Sequence, residues 1–145
     1  MNEQITKLNE YLADLGVLNV KLHNLHWNVK GRGFKQAHVN IEEMYDDLFE
    51  KFDEVAERIK MLGDFPKASL KSYLESTNIK ELESKNYEVK ESYELILSDY
   101  LELRNAAINI RIIADNLDDF STVSMMEDHV IGYNKQIWFL ESDLK

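Results

Sequence analysis

The residues best suited to chemistry are histidines and carboxylates that share one stretch of the chain. Three of the four histidines lie between His23 and His38, and Glu42 follows His38 at the i+4 position of a helix. Asp53 and Glu57 form a second pair with the same spacing. Positions i and i+4 lie on neighbouring turns of one helix face, so each pair can present its side chains together. Because imidazole and carboxylate ligands suit first-row metals such as iron and zinc, this stretch predicts a metal site.

The two pairs are too far apart to bind one ion within a single chain. Asp53 follows His38 by roughly 22 Å along a continuous helix, at the helical rise of 1.5 Å per residue. A two-fold dimer that lays this helix antiparallel to its copy would bring His38, and His26 from the preceding helix, near the partner subunit's Asp53 and Glu57. The same contact would bury Phe49, an apolar residue on an otherwise carboxylate-rich face. The spacing therefore favours sites that are shared between two chains.

A metal site enclosed within one four-helix bundle would need a different pattern. Di-iron sites of that kind use a Glu-x-x-His motif on two helices. Glutamate is absent from the positions three residues before the four histidines, which are Val20, His23, Lys35 and Met126. This argues against the enclosed arrangement, and it leaves His129, away from the cluster, as a structural or surface residue.

Ordinary packing explains each of these residues when it is taken singly. An i, i+4 pair of carboxylates is most often a solvated face, and a single histidine in an apolar stripe is most often a core residue. Trp27 and Trp138 fit a core or an interface, and Tyr45 and Tyr93 fit a core. Only the joint pattern favours a metal site, so periodicity alone leaves the metal site and plain packing about equally supported.

Helical periodicity supplies the elements that would hold these residues. Apolar residues recur at three- and four-residue steps in four long segments, which predicts four amphipathic helices. These helices cover residues 2–29, 35–62, 87–117 and 122–144. His26 falls inside the apolar stripe of the first helix, and His23 falls at its edge.

The connection between the second and third predicted helices is much longer than the other two. Residues 67–75 within it predict a short helix with Leu70, Tyr73 and Leu74 facing inward. Stripes with a period near 3.5 residues pack helices into a left-handed bundle, and four helices with one long middle connection form the ferritin-like pattern. We therefore predict an all-α, ferritin-like four-helix bundle made by a single domain, residues 1–145.

Charge and composition limit the classes of function. The formal net charge is −10, with Lys and Arg scattered among Asp and Glu, so the surface should repel nucleic acid and attract cations. The chain has no cysteine, which excludes disulfides, iron–sulfur clusters and thiol nucleophiles. No apolar run reaches the ~18 residues of a membrane helix, and the N-terminus lacks the pattern of a signal peptide. We expect a cytoplasmic protein with no membrane partner, and DNA binding that is weak or absent.

Residues 21–31, with the sequence KLHNLHWNVKG, resemble the signature of the Dps proteins, the dodecameric mini-ferritins of starved bacteria. Further matches follow in the family's order: Phe34, His38, Glu42 and Tyr45, then residues 52–58, the Leu62-Gly63 and Pro66 helix ending, and Ile137-Trp138 near the close. The resemblance covers nearly the whole chain.

The resemblance implies a hollow homododecamer with di-iron ferroxidase sites shared across its two-fold interfaces. It carries the family's catalytic ligand positions onto His26, His38, Asp53 and Glu57. It places Glu42 at a metal-ligand position where the family more usually has aspartate. It further implies oxidation of Fe(II) by hydrogen peroxide in preference to dioxygen, storage of ferric mineral in the cavity, and protection against oxidative stress.

Other positions of the resemblance concern neighbours of the site and the route of iron. His23 matches a position beside the ligands, and Trp27 would intercept stray radicals unless it only packs at an interface. Family pores are lined by carboxylates near the turn before the fourth helix, where this chain has Asp115, Asp118 and Asp119. Two nearby positions that are often acidic carry Phe and Ser instead.

Two other functions stay open at this point. A DNA-compacting protein with incidental iron binding would need a basic tail, which neither terminus carries. A non-enzymatic helical assembly could hold a structural metal such as zinc at its interfaces. Turnover of Fe(II) separates this last alternative from a ferroxidase.

Overall fold

The computed structural model describes residues 2–145, which form a helical bundle. Within that range, the helices are α1 (Asn2–Asn28), α2 (Phe34–Met61), α3 (Leu70–Ser76), α4 (Val89–Asn116) and α5 (Phe120–Asp143). α1, α2, α4 and α5 are long and form the bundle, whereas α3 lies in the connection between α2 and α4. The predicted all-α architecture with a short additional helix is confirmed. Throughout residues 2–145, no helix combines the length and the apolar composition needed to cross a bilayer.

α1 supplies much of the bundle's core because its leucines recur on one face. Leu8, Leu12, Leu15, Leu18 and Leu22 are each 0% exposed. α1 packs against α2, α3 and α4, and α4 packs against α5. Each leucine that folding removes from water contributes roughly 1.5–3 kcal/mol. This buried face fixes α1 against its neighbours and thereby fixes the position of its C-terminal end.

A two-residue strand pair joins the end of α1 to the start of α4. β1 (Val29–Lys30) runs parallel to β2 (Tyr87–Glu88), with Val29 opposite Tyr87. The sequence placed Val29 in the first helix and Tyr87 in the third, and both assignments are wrong. Each of these side chains is 3% exposed. Burial of a β-branched and an aromatic residue on extended backbone outweighs one more helical residue at each end.

The leucines of α3 face outward. Leu70 and Leu74 are 75% and 50% exposed, so the prediction that they face inward is wrong. Tyr73 is the residue of this short helix that turns toward the bundle, where its ring meets Phe52 edge to face at 5.6 Å. The two leucines instead line an apolar groove together with Val20 of α1.

The start of α5 is set by Asp119. Its side chain accepts a hydrogen bond from the backbone N–H of Thr122, which caps the helix. It also accepts hydrogen bonds from Gln4 Nε2 at 2.7 Å and from Arg58 Nη2 at 2.6 Å. Because Asp119 is the cap, α5 begins at Phe120, slightly before the start that the sequence predicted.

Candidate metal centre

A turn between α1 and α2 brings the predicted nitrogen ligands together. His26 lies in the last turn of α1 and is 5% exposed, and His38 lies near the start of α2. Gly31 and Gly33 between them have φ values of 100° and 84°, in the left-handed region that glycine occupies without steric cost. The chain therefore reverses within a few residues and lays His26 against His38.

The backbone fixes the orientation of both imidazole rings. His26 Nδ1 donates to the His38 carbonyl oxygen at 2.7 Å, and His38 Nδ1 donates to the His26 carbonyl oxygen at 2.8 Å. The rings stack with their centroids 3.7 Å apart and an angle of 15° between their planes. Because a carbonyl oxygen only accepts, each Nδ1 carries a proton, and each neutral ring keeps its lone pair on Nε2. Both rings are thus oriented as nitrogen ligands in advance.

Glu42 adds an oxygen ligand to these two nitrogens. One ligand atom from each of His26, His38 and Glu42 lies within 4.8 Å of the others, and we call these three residues the histidine cluster. Glu42 Oε1 is 3.6 Å from His26 Nε2, and the Glu42 side chain is 53% exposed. Two ligands of one first-row ion, each at about 2.1 Å, lie at most about 4.2 Å apart. The three ligand atoms lie within 4.8 Å of one another, and a small rotation of the exposed Glu42 side chain closes the gap to the limit of about 4.2 Å. The cluster can therefore hold a cation with coordination positions left open.

Asp53 and Glu57 do not reach the histidine cluster. α2 continues without a break between them and the histidines, so Asp53 stays roughly 22 Å from His38 along the helix axis. Both carboxylates are exposed, and Phe49 beside them is 61% exposed. Within residues 2–145, the histidine cluster is the group that has metal-ligand spacing. One chain thus presents a nitrogen-rich half of a site and, separately, a pair of carboxylates.

Comparison with known proteins identifies the family of the chain. The ferritin-like domain matches residues 5–145. A DNA protection during starvation protein of Helicobacter pylori is 36% identical over 137 residues, which cover 94% of this chain and 95% of that protein. The chain belongs to the Dps family. The family resemblance inferred from the sequence is confirmed.

Solved structures of Dps proteins have the same fold as this Dps chain. A Dps protein of Bacillus brevis is similar with a TM-score of 0.95 and 34% identity, covering 99% of this chain and 96% of that one. A Dps protein of Vibrio cholerae, described as a member of a broad superfamily of ferritin-like diiron-carboxylate proteins, has a TM-score of 0.95 and 30% identity, covering 99% and 90%. The predicted ferritin-like four-helix bundle is therefore confirmed.

Aromatic side chains pack around the histidine cluster of this Dps chain. His23 stacks on Tyr45 with ring centroids 3.7 Å apart, and Tyr45 meets His26 edge to face at 5.3 Å. Burial, followed by the negative charges of Glu42 and Asp46, raises the pKa of Tyr45, which keeps its phenol protonated. The sequence assigned Tyr45 to the core and missed its contact with the site. Its position at i+3 from Glu42 was the available signal.

Trp27 lies on the outside of the same region. Its side chain is 67% exposed, and its ring centroid is 5.5 Å from that of His23. The indole therefore lies beside His23 and is open to solvent in the single chain. Both roles suggested for it, radical interception and interface packing, stay predictions.

His129 lies inside the bundle, away from the histidine cluster. It is 0% exposed, and its ring nitrogens contact Tyr11 and Glu54. Of the two roles that the sequence allowed, the surface one is wrong, and the buried contacts fit the structural one.

The three aspartates near the start of α5 have different surroundings. Burial raises the pKa of Asp119, but hydrogen bonds from its neighbours and the charge of Arg58 outweigh burial and lower it. Asp119 therefore serves the fold as an ionised helix cap. Asp115 lies 3.9 Å from Arg111, and Asp118 is exposed. Of the predicted pore residues, Asp115 and Asp118 keep carboxylates that face solvent.

Proposed function

We propose that the chain is a ferroxidase and iron-storage protein that protects against oxidative stress. Membership of the Dps family supports iron storage and oxidative protection in general. In this proposal Fe(II) is the substrate, hydrogen peroxide is the preferred oxidant, and the ferric product is stored inside a shell of twelve subunits. The observation that carries the proposal is the pair of imidazole rings whose Nε2 lone pairs are oriented in advance beside Glu42.

The complete site takes residues from two chains. The histidine cluster of one subunit would face the partner subunit's Asp53 and Glu57 across a two-fold axis. The separation of His38 from Asp53 along α2 supports this arrangement because no bend in the helix brings them together. Phe49 supports it as well, since an exposed aromatic ring between carboxylates would be covered at such an interface.

Each group in the shared site has its own task. Neutral imidazoles of His26 and His38 suit Fe(II), and the anionic oxygens of Asp53 and Glu57 suit the harder Fe(III) product. Hydrogen peroxide accepts two electrons, one from each of two Fe(II) ions, and its O–O bond breaks. The ferric ions take oxygen from the reduced peroxide and from water, release protons, and move on as a hydrated ferric oxide. Paired electron delivery consumes peroxide without releasing a hydroxyl radical.

The acidic surface fits this function. A formal charge of −10 per chain raises the local concentration of Fe(II) around an assembly of such chains. The same charge disfavours contact with DNA phosphates. We therefore propose that protection by this protein proceeds through iron and peroxide, without DNA compaction.

Ferric absorbance measured by stopped flow tests the proposal. Anaerobic protein with Fe(II) in excess of its sites should give, on mixing with peroxide, an absorbance rise that continues well beyond one filling of the sites. The rise should be faster than with dioxygen. A double variant, His26→Ala with His38→Ala, should assemble but lose most of the rate.

A matched control removes two exposed carboxylates elsewhere. Glu91→Ala with Glu94→Ala lies on the exposed face of α4 and should leave the rate unchanged. A rise that stops after one filling of the sites, together with tight retention of zinc, would instead indicate a non-enzymatic assembly with structural metal.

A further inference from the structure

A chain of hydrogen bonds runs from the middle of the bundle to its surface, separate from the histidine cluster. The Tyr11 hydroxyl bonds to the Tyr133 hydroxyl and, at 2.8 Å, to His129 Nδ1. His129 Nε2 lies 3.2 Å from Glu54 Oε1. This hydrogen-bond chain joins α1, α2 and α5. Of its four members, only Glu54 has a solvent-exposed side chain, at 52%.

The protons of this chain take one consistent order. The carboxylate of Glu54 accepts from His129 Nε2–H, so His129 Nδ1 carries the lone pair and accepts from the Tyr11 hydroxyl. The Tyr11 oxygen in turn accepts from the Tyr133 hydroxyl. Burial, then the charge of Lys51, against the opposing effect of Asp128 and Asp47, lowers the pKa of His129 to about 4. The imidazole is therefore neutral at physiological pH and free to accept a proton.

Without oxidation, Tyr11 does not pass its phenolic proton to His129. Burial raises the pKa of Tyr11 most strongly, the hydrogen bond from Tyr133 lowers it by less, and the negative charges of Glu54, Asp14 and Asp47 raise it further. A phenolate at Tyr11 is thus excluded. A phenol that loses an electron becomes a strong acid, however, and a proton acceptor 2.8 Å away is then in place.

We propose that Tyr11 is a redox-active tyrosine, which gives one electron to a hydroxyl radical formed at the iron site and gives its proton to His129 Nδ1. The radical is reduced to hydroxide, Tyr11 becomes a neutral phenoxyl radical as its O–H bond breaks, and His129 becomes an imidazolium that Glu54 stabilises. The source of the hydroxyl radical rests on the proposed function. A single Fe(II) that reacts with peroxide without a second Fe(II) yields Fe(III), hydroxide and a hydroxyl radical. Asp53, a proposed iron ligand, precedes Glu54 in α2, so the hydrogen-bond chain ends on the same helical turn as one carboxylate of that site.

Two neighbouring tyrosines show why Tyr11 is the residue assigned. Tyr100 is 0% exposed, and within residues 2–145 its hydroxyl has no hydrogen-bond partner. Within the same residues, the Tyr133 hydroxyl bonds to Tyr11 and has no imidazole to take its proton. Burial is shared by all three rings, but the basic nitrogen is available to Tyr11 alone. Tyr100 is therefore a matched control.

Electron paramagnetic resonance on freeze-quenched samples tests the inference. The full protein, grown on ordinary and on ring-deuterated tyrosine, is loaded with substoichiometric Fe(II), mixed with peroxide and frozen. We expect a tyrosyl signal that narrows with the deuterated label, is lost in Tyr11→Phe, and is kept in Tyr100→Phe. An equal signal in Tyr11→Phe, or an equal loss in Tyr100→Phe, would overturn the assignment.

A second arm needs neither iron nor a variant. Photogenerated tris(bipyridine)ruthenium(III), a one-electron oxidant, is applied to the iron-free wild-type protein. In D₂O the tyrosyl radical should show an exchangeable deuteron coupling from the imidazolium. Absence of that coupling would overturn the assignment even if Tyr11→Phe fails to fold. Its presence, together with no ferric turnover in the stopped-flow assay, would reject only the ferroxidase proposal.

His129 is a positioning residue in this inference, and its variant separates the redox role from a structural one. His129→Gln can still accept a hydrogen bond but cannot become a cation. The exchangeable coupling should be lost and the radical yield should fall, while ferric absorbance per peroxide is unchanged. An unchanged yield and coupling in assembled His129→Gln would show that the imidazole only holds α1 to α5.

Discussion

Arg58 Nη2 lies 2.6 Å from Asp119 Oδ1, and this ion pair joins the end of α2 to the residue that caps α5. The two side chains are 17% and 11% exposed. Asp119 also accepts from Gln4 of α1 and from Thr122 of α5. A single carboxylate thus fastens α1, α2 and α5 to one another.

Replacing Asp119 with Ala should lower the free energy of unfolding by about 1–3 kcal/mol, because α5 loses its cap and Arg58 loses its partner. Hydrogen bonds and Arg58 outweigh burial and lower the pKa of Asp119 in the folded state. The carboxylate therefore contributes stability above its unfolded pKa of about 4, and this contribution is lost as the pH falls through the lower folded pKa. Denaturant unfolding at fixed protein concentration should show the difference between wild type and variant shrinking below about pH 4.

Asp118→Asn is the matched control for this stability measurement. Asp118 is exposed and has a φ of 56°, which asparagine tolerates. The free energy of unfolding of the Asp118→Asn variant should stay close to that of wild type. A difference for Asp119→Ala that persists undiminished in acid would contradict the ion-pair explanation.

Mixing two inactive variants should restore ferroxidase activity if the site is shared. One variant carries His26→Ala with His38→Ala, and the other carries Asp53→Ala with Glu57→Ala. In a mixed two-fold dimer, one site contains all four substitutions, and the other combines intact histidines with intact carboxylates. Random co-refolding should therefore restore roughly a quarter of the sites, since half of the dimers are mixed.

Mass spectrometry of the intact assemblies provides the control for this experiment. It must show that both variants are present in the same shells. Rates that stay at the level of the separate variants, in shells that are mixed, would rule out the shared site.

Cobalt(II) titration should measure the contribution of His38 to the histidine cluster. His38→Ala removes an Nε2 ligand but keeps the backbone carbonyl that holds His26 Nδ1. The orientation of His26 should therefore survive, and the affinity for Co(II), followed by its visible absorption, should fall by more than the roughly 10–100-fold typical of losing a residue behind a ligand. His23→Gln, which changes a ring beside the cluster, should cost less. Equal losses for the two variants would remove His38 from the ligand set.

The protein should not retard duplex DNA in a gel at physiological ionic strength. DNA binding is driven by the release of counterions when cationic side chains neutralise phosphates. A chain with a formal charge of −10 offers few such contacts. The assay is run at neutral pH with a chelator, and again with added Mg²⁺. A clear shift in the presence of the chelator would contradict the prediction, whereas a shift that appears only with Mg²⁺ would indicate cation bridging.

Asp115 and Asp118 should attract Fe(II) to the assembled shell. Changing both to Asn should slow mineralisation at low ionic strength and weaken its dependence on salt, because two solvent-facing carboxylates per chain are neutralised. Asp119 is kept in this variant because it caps α5. Initial rates of ferric absorbance across a salt series provide the measurement. Identical rates and salt dependence would assign iron access to another part of the surface.

Periodicity predicted the parts of this structure in which burial follows a regular pattern. The leucine stripe of α1 is buried as expected, and it carries His26 inward with it. The four long helices and the additional helix are confirmed because their stripes extend over many turns. Gly31 and Gly33, whose positive φ values allow the reversal that lays His26 against His38, are visible in the sequence.

The remaining features depend on contacts that a sequence pattern does not encode. The pair of Val29 with Tyr87 is too short to show the alternation of a strand. Leu70 and Leu74 satisfy a helical pattern, but the pattern does not say whether they meet their own bundle or another surface. The reciprocal bonds between His26 and His38 use backbone oxygens, whose placement is decided by the turn. The sharing of Asp53 and Glu57 between chains stays a prediction.

The hydrogen bonds that orient His26 and His38 span only twelve positions of the chain. Closing so short a loop costs little entropy, so the nitrogen half of the site forms early and without help from distant residues. Under the shared-site proposal, the carboxylate half arrives only when two subunits meet. The number of complete sites at low concentration is then expected to grow with the square of the free subunit concentration. Iron oxidation by a proposed site of this kind would therefore begin only after subunits associate, when the shell that stores the product is also forming.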